Sequence, residues 1–297
     1  MNALNHQLSV EQKVNTNEII ALLKLLDDPN EEVITAVTQK IFEIGPDIVP
    51  QLEKIWETSI NTQFQERLEN LIQEIQFQNV CQDLRNWDLM GGSDILRGAT
   101  IIARFQYPEI EYHTLLNSIA EIKDTVWVEM NDNLTPLEKI KVINHVFYEV
   151  HKFTGNFSNY YAPQNYYLNQ VLETHKGNPI SLGIIYISLA RMFGLPVYGI
   201  NLPKNFILAY KDELATNKQD SIQFYINPYN KGAVLGKREI DYFLDQQKIT
   251  PNDIFYYPCS NLDIIERLIR NLISSYESLG QLEKVQRFGK LLKIINR

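Results

Sequence analysis

The sequence has few cysteines, no block of basic residues and no long apolar run, and each of these shortages excludes a class of protein. Cys81 and Cys259 are the two cysteines among 297 residues, too few and too far apart for a disulfide framework or a zinc site. The net charge of -8 argues against a broad nucleic-acid footprint or an anionic membrane surface as partner. Since no run of about 18 apolar residues occurs, we expect no membrane-spanning helix.

Signals for export and for metal binding are also missing. The first 18 residues contain no apolar stretch of the kind that a secretory signal has. With so few cysteines, this predicts a reducing, cytoplasmic location. None of the five histidines has metal-ligand spacing with a partner, so we expect no metal and no cofactor. They are His6, His113, His145, His151 and His175.

The most informative stretch is a long apolar segment with clear start and stop signals. It runs from Ile180 to Phe193, follows Pro179, and is ended by Gly194 and Pro196. Proline fits the first turn of a helix, and glycine fits the position just after its end. Fourteen residues that are apolar on most sides predict a helix at the centre of a large domain. Two short runs after it, 197–200 and 206–210, predict strands, as does the alternating segment 222–226.

Helices are predicted on both sides of this centre. At the amino terminus, short helical patterns over 18–26, 31–44, 48–56 and 64–75 are separated by Asp-Pro and Gly-Pro breaks. They resemble a HEAT-type repeat, although a plain helical bundle explains the pattern nearly as well. At the carboxyl terminus, 262–279 and 282–295 predict a hairpin that resembles one tetratricopeptide unit docked as a cap. We therefore expect three regions: 1–85 helical and HEAT-like, 86–255 a core domain, and 256–297 a terminal hairpin.

A series of short motifs between residues 97 and 229 has a specific order and spacing. The series begins with Arg97-Gly98-Ala99 and Gly155-Asn156, and continues with Tyr160-Tyr161, Asn165-Tyr166-Tyr167, Gly177-Asn178-Pro179-Ile180-Ser181, Arg191-Met192-Phe193-Gly194, Pro203-Lys204-Asn205-Phe206 and Asn227-Pro228. In these motifs the chain resembles the transglutaminase-like superfamily, and more closely its bacterial SirB-type branch (transglutaminase-like core 2). The resemblance implies an α+β, mostly helical fold, with a papain-like core of one helix packed on a small antiparallel sheet.

The same resemblance implies where a catalytic triad would lie. Active members have a Cys at the start of the helix, a His on a following strand and an Asp at the end of the next. Here those positions are occupied by Pro179, Asn205 and Asn227. Proline has no nucleophile, and an asparagine amide is not a general base near neutral pH. We therefore expect no catalytic residues and no acyl transfer by a cysteine.

A binding role is the alternative to catalysis, and the sequence offers a candidate pocket for it. The predicted pocket residues are Asn156, Tyr160, Tyr161, Asn165, Asn178 and Ser181. The tyrosine-rich loop over 155–170 either seals the core or lines a groove for a peptide or small ligand. Ser181 is either a first-turn serine bonded to backbone or a substitute nucleophile, and His175 is either a solvated loop residue or a neighbour of the helix start.

Three hypotheses for function follow. In the first, the chain is a non-catalytic transglutaminase-like protein that binds another protein or a peptide, with no nucleic-acid or membrane partner. In the second, it is an amidase, peptidase or acyltransferase with a displaced nucleophile such as Cys81, Cys259 or Ser181. In the third, it is a helical-repeat adaptor whose central domain only fills space. The oligomeric state does not follow from the sequence.

Overall fold

The computed structural model describes residues 16–217 and 221–295, and this part of the chain forms two compact units. Residues up to 80 belong to the first unit and residues from 81 to the second. The described residues are mostly helical with small sheets, as predicted. No helix in the described ranges is long and apolar enough to cross a membrane. The expectation about a secretory signal concerns residues that lie mainly outside the described ranges.

The first unit is built from short helices around an apolar core. Its helices are α1 (Thr16–Leu25), α2 (Glu31–Ile44), α3 (Val49–Thr58) and the first part of α4 (Thr62–Leu89). Asn30 begins α2 because its side-chain oxygen accepts a hydrogen bond from Glu32 N at 2.9 Å. Ile41 of α2, Leu52 of α3, Leu68 of α4 and Leu26, which follows α1, are fully buried in this core. Such burial is what holds short helices that would be marginal alone.

The second unit contains the remaining helices and both sheets. Its helices are α5 (Ile95–Arg104), α6 (Tyr112–Glu129), α7 (Pro136–Asn144), α8 (Leu168–Thr174), α9 (Pro179–Met192), α10 (Lys237–Gln246), α11 (Asn261–Ser278) and α12 (Leu282–Ile295). Thr135 and Glu138 form a reciprocal capping box at the start of α7. A π-helical turn over His145–Val150 continues α7.

The larger sheet is four-stranded and antiparallel. Its strands β3 (Val197–Ile200), β4 (Ile207–Lys211), β5 (Ile222–Asn227) and β6 (Ala233–Leu235) lie in chain order. A second, two-residue parallel pair joins β1 (Thr154–Gly155) to β2 (Lys176–Gly177). This pair brings the end of the π-helical turn beside the start of α9 and so closes the tyrosine-rich loop between them.

The helix α9 lies at the centre of the second unit. Every residue from Pro179 to Ala190 is buried, and α9 contacts α5, α6, α8, α11 and the strands β3 and β4. Close packing of α9 on the sheet depends on two glycines. A Cβ on Gly183 or on Gly199 would come within 2.6 Å of the Phe206 ring. The ring therefore fills the space that both missing side chains leave.

Candidate functional site

A cleft lies at the amino-terminal end of α9. Its volume is about 430 Å³. One wall is the tyrosine-rich loop, with Tyr160, Tyr161 and Tyr166, and the floor is the start of α9. The opposite walls are the turn before β4 and the face of α11 that carries Asn271 and Ser274. The lining includes Pro179, the residue at the position that the sequence resemblance gives to the nucleophile.

Asn178 sets the geometry at the start of α9. Its Oδ1 accepts hydrogen bonds from Ile180 N at 3.0 Å and from Ser181 N at 2.9 Å. Pro179 has no N–H to satisfy, so these two bonds use the free donors of the first turn. Ser181 completes a reciprocal cap, because its Oγ accepts from Asn178 N at 3.1 Å. This backbone segment is therefore fixed by its own side chains.

The amide nitrogen of Asn178 is left without a partner. Asn178 is only 2% exposed, and within the described ranges its Nδ2 has no hydrogen-bond acceptor. Exchanging the positions of the amide oxygen and nitrogen would not give Nδ2 an acceptor, because the atom in the Oδ1 position must accept hydrogen bonds from two backbone N–H groups. A buried donor without an acceptor costs about 1–3 kcal/mol. The start of α9 therefore presents one unsatisfied donor beside the cleft.

Of the three residues at the predicted triad positions, two line the cleft and one does not. Pro179 and Asn205 line the cleft, and Asn205 Oδ1 accepts from Phe206 N at 2.9 Å. Asn227 is not in the lining. Its Oδ1 accepts from Tyr229 N at 3.1 Å and from Asn230 N at 3.2 Å, which shapes the turn after β5. Asn227 thus serves the backbone of that turn.

The predicted pocket residues fall into two groups. Tyr160, Tyr161 and Asn178 line the cleft, whereas Asn156, Asn165 and Ser181 lie behind it and hold the loop in place. Asn156 Nδ2 donates to Asn165 Oδ1 at 2.9 Å, and Asn165 Nδ2 donates to two loop carbonyls. The Ser181 hydroxyl is completely buried and donates to Asn165 O at 2.6 Å. With its proton on a carbonyl and no base beside it, Ser181 is an anchor for the loop.

The four tyrosines of the loop divide between the two roles that the sequence left open. Tyr167 is 1% exposed and its hydroxyl bonds that of Tyr276 at 2.7 Å, so it seals the loop onto α11. Tyr160, Tyr161 and Tyr166 line the cleft instead. Burial raises the pKa of Tyr160 and Tyr166 above the ordinary value. These hydroxyls therefore stay protonated and can donate or accept a hydrogen bond.

The thiols and His175 lie away from the cleft lining. Neither cysteine forms a disulfide. The Cys259 thiol donates to Gly199 O at 3.3 Å, and burial raises its pKa to about 12. His175 stacks on the Phe153 ring with 4.6 Å between ring centroids. No group of three or more His, Cys, Asp or Glu side chains in the described ranges could hold a metal ion.

Arg267 is a cleft residue that the sequence analysis missed. Its Nη1 donates to the side chain of Asn201 and to Leu202 O at 2.9 Å, and its guanidinium carbon lies 5.9 Å from the centroid of the Phe206 ring. Burial lowers its pKa below the ordinary value. The available signal was its place on α11 next to the apolar stripe of Ile264, Leu268 and Leu272, where a charged residue is unusual.

The cleft is cationic in a protein whose net charge is -8. Lys204 and Arg267 are the charged residues of its lining, which contains no carboxylate, imidazole or thiol. Lys204 is exposed and its Nζ donates to Gln247 Oε1 at 3.0 Å. The chemistry available in the cleft is therefore hydrogen bonding, aromatic contact and attraction of negative charge. An acyl transfer that uses a cysteine and a histidine lacks both groups in this lining.

Comparison with known families identifies the superfamily of the chain. The pattern of the transglutaminase-like superfamily matches residues 113–270, more than half of the 297-residue chain. The chain belongs to the transglutaminase-like superfamily. The matched range includes α9, the four-stranded sheet, the tyrosine-rich loop and Arg267 of the cleft. The superfamily sequence pattern thus covers Pro179, Asn205 and Asn227, the residues at the predicted triad positions.

Relatives of this transglutaminase-like protein occur in bacteria and in animals. A UPF0162 protein of Xylella fastidiosa is 29% identical over 216 residues, covering 68% of this chain and 72% of its own. A UPF0162 protein of Vibrio cholerae is 24% identical, covering 56% of this chain and 57% of its own. The F-box only protein 21 of Mus musculus is 30% identical over 52% of this chain, which matches 24% of that longer protein. No solved structure matches the chain significantly.

Proposed function

We propose that this protein is a non-catalytic member of the transglutaminase-like superfamily that acts by binding. One observation carries the proposal: Pro179 and Asn205 occupy two triad positions in a formed cleft whose lining has no thiol, imidazole or carboxylate. The cleft has aromatic walls and unfilled hydrogen-bonding groups, which are features of sites for peptides and small ligands.

The ligand that we propose is a segment of another protein or a peptide. Tyrosine rings give rigid contact area at a low entropic cost, and amide side chains bond the peptide backbone. The acidic surface argues against nucleic acid and anionic membranes as partners. We further propose that the chain belongs to the SirB-type branch and works in the cytoplasm. We also propose that the 1–85 region is HEAT-like and the 256–297 hairpin tetratricopeptide-like, on either side of the 86–255 core in the sequence, and that such helical repeats offer surfaces for partners.

The catalytic part of the proposal is tested by assays for the reactions of active superfamily members. Purified protein is incubated with a fluorescent primary amine and a glutamine-rich acceptor protein, and amine incorporation, ammonia release and peptide cleavage are followed. We expect no turnover above that of heat-denatured protein. The C81S/C259S double variant controls for contaminating or displaced thiol chemistry. Turnover that disappears in Asn205→Ala or in that double variant would refute the proposal and support an enzyme with a displaced nucleophile.

The binding part is tested by selecting peptides from a displayed random library on the full-length protein. Ser274 lies exposed on α11 and lines the cleft, so Ser274→Trp should fill the cleft without disturbing the core. Glu277→Trp adds the same ring to an exposed position of α11 outside the lining. We expect the selected peptides to bind Ser274→Trp at least about tenfold more weakly and Glu277→Trp normally. Equal binding to both variants would favour the helical-repeat adaptor.

A further inference from the structure

Three donor groups point to the chemistry of the ligand that this cleft accepts. The first is the buried Nδ2 of Asn178, which has no acceptor within the described part of the chain. The second is Nδ2 of Asn205, whose orientation is fixed because Oδ1 accepts from Phe206 N at 2.9 Å. The third is the Nε and Nη2 edge of Arg267, since its bonds to Asn201 and Leu202 are made by Nη1. All three residues line one cleft.

The guanidinium of Arg267 has no negatively charged partner among the described residues, which is unusual for a partly buried cation. It is partly buried, and the ion pairs formed in the described ranges do not include it. Its two hydrogen bonds go to neutral oxygens, and the cleft lining has no Asp or Glu. A cation in such surroundings keeps a strong attraction for an anion, because little water and no counter-charge screens it. The site is thus short of one negative charge.

The shape of the free groups favours a carboxylate over a phosphoryl group. The Nε–Nη2 edge of a guanidinium matches the two coplanar oxygens of a carboxylate. Phosphoryl sites at helix starts use several free backbone N–H groups, and these are absent here. Pro179 has no N–H, and the N–H groups of Ile180 and Ser181 already bond Asn178 Oδ1.

We propose that the cleft binds a carboxylate of its peptide ligand, held by the free edge of Arg267 and by the amide nitrogens of Asn178 and Asn205. The inference rests on the proposed function, since it names the group recognised in the same cleft. The carboxylate is either the carboxyl terminus of the peptide or the side chain of an aspartate or glutamate in it. The tyrosine walls then contact the residues next to that group.

Two pairs of small probes test the charge and its source. N-acetyl-L-phenylalanine and its primary amide differ only in a terminal carboxylate, and N-acetyl-glutamate and N-acetyl-glutamine α-amides differ only in a side-chain carboxylate. Each probe is titrated up to about 20 mM against isotope-labelled full-length protein while the Arg267 Nε–Hε resonance is followed, after its assignment by Arg267→Lys. We expect at least one acid to bind about tenfold or more tightly than its amide. The pair that shows the difference identifies the source.

Variants show whether the three donors are responsible. Asn178→Asp keeps the oxygen that caps α9 and turns the free donor into an anion, so it should abolish binding of the acid without unfolding the helix start. Arg267→Gln should also abolish it. Arg270→Gln is the matched control, because Arg270 is an exposed arginine on the same helix, paired with Glu266 at 2.7 Å. Thermal melts of each variant show that the fold is retained.

Several outcomes would overturn the inference. These are equal binding of acid and amide, tighter binding of phenyl phosphate than of either acid, acid binding that survives both Asn178→Asp and Arg267→Gln, and no shift with any probe. Different results would refute the proposed function, so the two proposals can be told apart. Peptide binding that is sensitive to Ser274→Trp but indifferent to carboxylates would leave binding in the cleft intact, whereas acyl-transfer activity would refute the non-catalytic role whatever the probes show.

Discussion

The Asn178 cap of α9 should contribute more to the free energy of unfolding than an ordinary helix cap does. Asn178→Ala removes the oxygen that accepts from Ile180 N and Ser181 N. Replacing a cap residue by alanine typically costs about 1 kcal/mol, in a range of about 0.5–2. Here the cap residue is 2% exposed, so the two N–H groups lose their partner in a place that water reaches only through the cleft. Each unsatisfied buried donor adds about 1–3 kcal/mol when no water replaces the acceptor.

Two effects reduce the loss of stability that is expected for Asn178→Ala. The alanine variant also removes the unpartnered Nδ2 of Asn178, which relieves a cost already present in the native protein. Ser181 Oγ still accepts from the N–H of residue 178. We therefore expect Asn178→Ala to lower the free energy of unfolding by about 2–3 kcal/mol. For a unit of this size, that corresponds to a fall in Tm of about 4–12 °C.

Ser260→Ala is the matched control for burial. Ser260 caps α11 in the same compact unit, its Oγ accepts from Asp263 N at 3.1 Å, and it is exposed. Water can replace its oxygen, so we expect a cost of about 1 kcal/mol. Asn178→Asp keeps an oxygen for both N–H groups and places negative charge at the positive end of a helix. It should be less destabilising than Asn178→Ala.

Urea unfolding followed by tryptophan fluorescence measures these differences. In a Trp56→Phe background the signal comes from Trp87 and Trp127, which both lie in the second compact unit. Midpoints are compared at a common slope, so that a change in midpoint is a change in stability. If Asn178→Ala costs no more than Ser260→Ala, burial does not strengthen the cap, and water must replace the Asn178 oxygen at the start of α9.

Three further predictions follow from packing and burial. Gly183→Ala should destabilise the protein by about 1–3 kcal/mol in the same urea assay, because its Cβ would lie 2.6 Å from the Phe206 ring. Gly289→Ala, with open space on α12, should instead stabilise it by about 0.5–1 kcal/mol. Equal effects of the two variants would contradict the packing around Gly183. Burial raises the pKa of Tyr148, Tyr167 and Tyr186, so their contribution to stability is complete below their unfolded pKa near 10 and is lost as the pH rises further. Circular dichroism and tyrosinate absorbance should therefore change together in alkali. Tyrosinate absorbance that rises fully before the fold is lost would contradict this. Burial raises the pKa of the Cys259 thiol to about 12, so it should react with a disulfide reagent about a thousandfold more slowly than an unperturbed thiol at neutral pH. In folded C81S protein Cys259 is the remaining thiol, and its rapid labelling would contradict its burial.

Local signals in the sequence were sufficient for the positions of most helices. Residues 31–44 were predicted as a helix and form α2, and 282–295 form α12, because capping residues and turn formers mark their ends. The fourth predicted helix stopped near Ile75, but α4 continues to Leu89. The buried residues Phe77, Val80, Leu84 and Trp87 keep a helical spacing beyond Ile75, and no proline or glycine interrupts the chain before Gly91. Both signals for a longer helix were therefore present in the sequence.

Short pieces of structure that depend on distant partners were not visible in the sequence. The strand β6 has three residues and exists through its register with β5. The β1–β2 pair has two residues on each side, and the neighbouring bond from Asn156 N to Gly177 O joins positions 21 apart along the chain. Pairing of this kind depends on the assembled core. Helix α8, which begins within the predicted loop over 155–170 and ends at Thr174, is seven residues long and lies against α9.

The candidate site shows the same division between local and distant information. Motif spacing identified Asn178 and the tyrosines, because they lie within about twenty residues of the start of α9. It missed Arg267, which follows Asn205 by 62 positions and reaches the cleft because α11 packs beside α5 and α9. Yet Arg267 is the partly buried one of the two cations in the cleft lining, beside the exposed Lys204. The residues at the predicted triad positions are visible in sequence motifs, whereas a lining residue such as Arg267 comes from a distant helix, and its place in the cleft requires the fold.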